Sequence, residues 1–287
     1  MFLQEPKPVI ATDVDGILIK WQSGLPYFAQ KYDLPLDEIL KTIANDSFTS
    51  PAKLFNCSEE FASKLLLKYN NSDFIRYLSA YDDALKVVNE LKKHYDFVAV
   101  TALGNSVDAH LNRQFNLSAL FPGAFKDIYV CDYNESKDHL LTRVLEKYGE
   151  RVVCYVDDLG KHIDSAIEVM CHLKDFKTFY LPRGERDHLP SHSGTAHHTV
   201  KNWYEIKDIL MSDSSSKMVE QFRKMVDEFN KPERPSVRDF WKHQLPEFKP
   251  DYFNPTRPWQ RPYPNYGVGT GIEYLMNQPT SVVNCKV

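Results

Sequence analysis

The sequence predicts an α/β fold: a parallel sheet with helices on both faces, a small helical cap and an extended C-terminal arm. Three observations carry this expectation. Short apolar runs alternate with longer helical patterns between residues 8 and 182. Residues 21 to 80 interrupt that alternation with short helical segments, and beyond residue 231 prolines interleave with aromatics. Strand, helix, strand in succession implies right-handed crossovers and hence a Rossmann-like sheet buried on both faces.

The predicted strands are 8 to 13, 96 to 101, 126 to 131, 152 to 157 and 177 to 181, each a short apolar run. Helical spacing marks residues 82 to 94, 105 to 115, 135 to 148 and 160 to 172 between them. The core domain is therefore read as residues 1-20 and 81-211, with a helical cap at 21-80. Within the cap, Leu36 to Leu40 and Ser58 to Leu66 read as helices, and Ser58 is a good N-cap before Glu59 and Glu60. Trp203 to Leu210 is a closing helix, and the polar run Ser212-Asp213-Ser214-Ser215-Ser216 reads as a boundary. A linker and helix follow over 212-230, where Val219, Phe222, Met225, Val226 and Phe229 recur at helical spacing. In the arm, 231-287, prolines deny helix and central strand, while its aromatics argue against disorder. It is expected to lie on a surface, either that of its own domain or that of a neighbouring subunit, and the second case would make the protein a homo-oligomer.

The 287-residue chain is 43% hydrophobic, enough for one sizeable core plus an insertion. A net charge of -4 gives no global attraction for nucleic acid, and the basic residues of the arm are diluted by acids. Cys57, Cys131, Cys154, Cys171 and Cys285 are odd in number and lack a Cys-x-x-Cys pair, against a disulfide framework or zinc ribbon. No apolar run approaches membrane-spanning length, and the N-terminal stretch, broken by Glu5 and Lys7, lacks a signal-peptide core. The expectation is a soluble, cytoplasmic protein with no membrane partner.

The first strand ends in Asp13-Val14-Asp15-Gly16. Positions i and i+2 of a strand project to one side, so an extended path through Val14 would put Asp13 and Asp15 in one small space. Two like charges there need a cation or a shared proton. Magnesium, with one carboxylate free to attack phosphorus, meets that need. Taken alone the motif also reads as a polar turn. It is not an EF-hand loop, whose glycine and terminal Glu are absent.

Three further elements follow in order: Thr101 at the end of Phe97-Val98-Ala99-Val100-Thr101, Lys137 at the start of a helix, and Asp157-Asp158 after Val152-Val153-Cys154-Tyr155-Val156. With these in place the chain resembles the haloacid dehalogenase (HAD) superfamily of phosphotransferases over residues 8 to 182. The insertion at 21-80 resembles the helical cap found between that superfamily's first two motifs. The resemblance implies a magnesium-dependent phosphatase hydrolysing a small phosphate monoester. Asp13 would be the nucleophile, through an aspartyl-phosphate, and Asp15 the acid and base. Thr101 would bind a phosphoryl oxygen, and Lys137 would neutralise charge on the nucleophile and the transferring group. Mg2+ would be held by Asp13, the Asp15 backbone carbonyl and Asp157, with Asp158 orienting the site or adding a ligand through water. Retention of Asp15 favours phosphate esters, because members that cleave carbon–halogen bonds lack this second acid. The segment Asp-x-Asp-Gly-Ile-Leu is similar to deoxyribonucleotidases, which suggests a nucleoside monophosphate and nucleotidase activity.

Plainer readings stand beside these. Thr101 can simply end a strand, Lys137 can be a solvated helix residue, and Asp157-Asp158 can cap the following helix. The stretch from Asp187 to His198 matches no zinc spacing and reads as a polar loop. Arg183 and Arg186 before it, and Asn105 and Ser106 after Thr101, are further candidates to meet an anionic substrate. The alternative function is a non-catalytic assembly protein that uses the HAD-like domain as a scaffold and the arm as its working part.

Overall fold

The computed structural model describes residues 6–47, 49–184, 186, 189–191 and 197–229. The predicted arm, Cys285 and most of the histidine-containing stretch fall outside the described residues. Contacts divide the chain into two compact units after Met225, and the first carries the sheet, the inserted helices and the candidate site. The second contributes residues 226–229 to the description.

Six parallel strands form one sheet in the order β3-β2-β1-β4-β5-β6: β1 Val9–Thr12, β2 Asp96–Ala102, β3 Phe125–Cys131, β4 Val152–Asp157, β5 Lys177–Tyr180 and β6 His198–Thr199. The four residues of β1 are all buried, as a parallel strand covered on both faces requires. One face carries Ile10, Phe97, Ala99 and Val156 against α5 (Asp82–Leu91), α6 (Val107–Leu120) and the start of α9 (Trp203–Phe229). The other carries Val9, Ala11, Val98 and Val100 against α7 (Asp138–Tyr148) and α8 (Gly160–Met170). Between β1 and β2 the chain builds the inserted helices α1 Leu25–Lys31, α2 Asp37–Asn45, α3 Pro51–Phe55 and α4 Glu59–Asn70. Ser58 caps α4, its side chain accepting from the Phe61 amide at 3.4 Å.

Two sequence expectations change here. Ser212 to Ser216 lies inside α9, and the division between the two units falls after Met225. His198, read as the end of a polar loop, joins Thr199 in a short sixth strand that pairs with Phe179–Tyr180. A two-residue edge strand with both residues exposed leaves no apolar pattern to read.

Because β1 lies between β2 and β4, the crossovers on its two sides pack on opposite faces, the topology that opens a crevice at the adjacent C-terminal strand ends. Asp13, Thr101 and Asp157 come from these three ends.

Candidate active site

The Asp13 amide donates to the Val156 carbonyl at 2.8 Å, tying the end of β1 to β4. The chain then turns at Gly16, whose φ of +78° suits glycine. A Cβ at Gly16 would also lie 2.5 Å from Asp158 Oδ2, so the turn has no room for a side chain. Within the protein, the side chains of Asp13 and Asp15 are paired with different basic residues. Lys137 Nζ lies 2.8 Å from Asp13 Oδ1, whereas the Asp15 Oδ2 atom pairs with Arg113 Nη2 at 2.5 Å.

Lys137 sits at the N-terminus of α7, 1% exposed, and its Nζ is also 2.8 Å from Asp157 Oδ2. It is not the solvated helix residue of the plainer reading. Asp157 has further donors: Tyr155 Oη at 2.5 Å, the Leu159 amide at 2.9 Å, and His162 Nδ1 within 3.3 Å. Burial works to raise the Asp157 carboxyl, but Lys137 and His162 outweigh it and hold the group well below the usual carboxylate range. Asp13 shares the same lysine without the other donors. Burial therefore pushes it well above its usual range against the pull of Lys137, and the charges of Asp157, Asp158 and Asp15 add to the rise.

Asp158 pairs through Oδ2 with Arg186 at 2.7 to 2.8 Å. Burial still lifts it to about 6 against Arg186, with repulsion from Asp157 contributing. Its Oδ1 is buried and has no hydrogen-bond partner among the described residues. Single oxygens of Asp13, Asp157 and Asp158 lie within 4.8 Å of one another. An all-oxygen set with an unfilled buried acceptor is the donor chemistry of a hard divalent cation. The residues thus fit magnesium. On the other flank, Thr101 is fully buried near the end of β2, and its hydroxyl likewise has no partner among the described residues.

Arg183 and Arg186, considered for an anionic substrate, are engaged within the protein. Arg183 pairs with Asp83 at 3.0 Å and donates to the Ile17 carbonyl, while Arg186 joins Asp158 to the Asp46 carbonyl at the end of α2. Ser106 caps α6, accepting from the Ala109 amide at 3.0 Å, and hydrogen-bonds to Asn71 of the inserted segment. Asn70 Nδ2 reaches the Leu103 carbonyl at 2.9 Å, a second link from the inserted helices to the loop after β2.

Sequence reasoning missed Arg113. It belongs to the buried stripe Ala109, Asn112, Arg113, Asn116 and Leu117 of α6. Three polar residues on one helical stripe are the signal that could have found it, since such groups are buried only with partners.

The sheet order, the residues at its strand ends and the helices inserted after β1 define a haloacid dehalogenase-like fold. Among solved structures, the chain is similar to a candidate phosphatase from Clostridium difficile, with a TM-score of 0.52 and 16% identity, covering 72% of this chain and 100% of the other. A haloacid dehalogenase-like hydrolase from Streptococcus pneumoniae aligns with a TM-score of 0.48 and 14% identity over 71% and 98% of the two chains. No protein-family model matches the sequence. It is 48% identical over 285 residues to an uncharacterized 32.4 kDa protein from the Gp30-rIII intergenic region of Enterobacteria phage T4, covering 96% of each chain. The chain belongs to the family of that phage protein.

Proposed function

We propose that this protein is a magnesium-dependent phosphatase of small phosphate monoesters that works through an aspartyl-phosphate on Asp13. The observation that carries the reading is the buried Lys137 ammonium 2.8 Å from both Asp13 and Asp157, with open oxygens on Asp158 after β4 and on Thr101 near the end of β2. A lysine so placed orients the nucleophile and leaves a charged gap suited to a phosphoryl group. Asp13 and Asp158 side chains with the Asp15 backbone carbonyl would hold magnesium, which supplies charge screening between the phosphoryl group and Asp13. Asp157, whose oxygens already meet four donors, fits a supporting role better than direct ligation. This reverses the order of the two acids drawn from the sequence.

In the first step an Asp13 oxygen bonds to phosphorus as the ester P–O bond breaks, and the leaving oxygen takes a proton from Asp15. In the second, water returns a proton to Asp15 while its oxygen bonds to phosphorus; the Asp13–phosphorus bond breaks and phosphate leaves. Thr101 Oγ1 would donate to a phosphoryl oxygen, and Lys137 would stay charged throughout. The likeness of the first motif to deoxyribonucleotidases makes nucleoside monophosphates the first substrates to try. The four described cysteines are free, which agrees with a reducing, cytoplasmic compartment, and no described helix is long and apolar enough to cross a membrane. Asp13→Asn should abolish magnesium-dependent hydrolysis of an aryl phosphate while circular dichroism stays unchanged. Wild-type turnover in that variant would refute the assignment.

A further inference from the structure

We infer that Arg113 is a positioning residue that clamps one oxygen of Asp15 and leaves the other as the proton donor, an inference that rests on the phosphatase reading above. Arg113 is fully buried, and its Nη2 meets Asp15 Oδ2 at 2.5 Å. Arginine and carboxylate often pair through two parallel contacts, which would occupy both carboxylate oxygens. Here a single contact is made. Asp15 Oδ1 is buried without a hydrogen-bond partner among the described residues, as are Arg113 Nε and Nη1.

The helix that carries Arg113 is pinned on either side of it. Asn112 Oδ1 accepts from Arg76 Nε at 3.1 Å and Nη2 at 2.8 Å, and its Nδ2 donates to the Ser72 carbonyl at 3.0 Å. Asn116 Nδ2 donates to the Arg76 and Leu78 carbonyls at 3.3 and 3.2 Å. These contacts fix the rotation of α6, so the Arg113 guanidinium is a fixed point for Asp15. A general acid displaced by about 1 Å loses on the order of a hundredfold in rate, so such a fixed point has a catalytic consequence. Arg113 acts through Asp15, and no described contact joins it to Asp13, Asp157 or Asp158.

Leaving-group dependence separates this role from a structural one. The alkoxide of glycerol phosphate needs a proton to depart, whereas dinitrophenolate leaves unaided. First-turnover release from both esters is measured with the full-length magnesium-loaded protein and its Asp15→Asn, Arg113→Met and Arg113→Lys variants. Arg113→Met should follow Asp15→Asn: release from glycerol phosphate falls about a hundredfold or more, while release of dinitrophenolate changes by less than about fivefold. Arg113→Lys, which keeps one charged donor, should recover part of the glycerol phosphate rate. An equal loss on both esters in both arginine variants, or a rise in KM with kcat unchanged, overturns the positioning role. If the wild-type protein releases neither leaving group, the phosphatase reading itself falls, a result distinct from equal slowing.

Discussion

On the β4 side of the first strand, Asp157 meets Lys137, Tyr155, His162 and a backbone amide, and Asp158 meets Arg186 through Oδ2 while its Oδ1 stays open. On the β2 side, the Thr101 hydroxyl, Asp15 Oδ1 and two nitrogens of Arg113 have no described partner. Both flanks are buried, so solvent does not account for the difference. An unpaired buried polar group costs about 1–3 kcal/mol, and several together are a steep burden on a fold stabilised by about 5–15 kcal/mol. Apart from Asp158 Oδ1, which is open where the metal would bind, the β4 flank reads as a frame that holds charge in place. On the β2 side, the Thr101 hydroxyl and Asp15 Oδ1 read as the half of a site that a bound phosphate ester completes.

Removing Lys137 is the strongest way to break this comparison. Lys137→Met leaves two buried carboxylates facing each other without their cation, so both stability and turnover should suffer. Denaturant unfolding should show a loss of about 3–5 kcal/mol, and kcat should fall by about a thousandfold. A variant as stable as the wild type would mean that the β4 flank is no frame.

Thr101→Val should split the two properties. The substitution replaces an unpaired hydroxyl by a methyl group of similar shape, so stability should hold or rise by about 1 kcal/mol. Activity should still drop by roughly a hundredfold through the lost donor to the phosphoryl group. A loss of stability without a loss of turnover would show that the hydroxyl serves the fold.

Much of this fold was legible because buried parallel strands leave unbroken apolar runs. Val152–Asp157 coincides with the predicted strand, and Val9–Thr12 falls one residue short at each end. The strand-end residues were legible for the same reason, since an acid or hydroxyl closing such a run stands at the crevice. Less could be read where side-chain depth decides. Helical spacing puts Arg113 on a face of α6 but says nothing of how deep that face lies. Nor could it foresee that Arg183 and Arg186 would be taken up by Asp83 and Asp158. Nor could it show that Asp13 and Asp15 would each pair with its own cationic side chain, Lys137 and Arg113.

The most direct test of phosphoryl transfer at Asp13 is to quench the magnesium-loaded protein in acid during turnover of a phosphoryl-labelled ester and map the label by peptide analysis. The account predicts a hydroxylamine-labile phosphoryl group on Asp13 that forms within the first turnover and is absent from Asp13→Asn. Turnover at full rate with no label on the protein, or with the label on another residue, would contradict it.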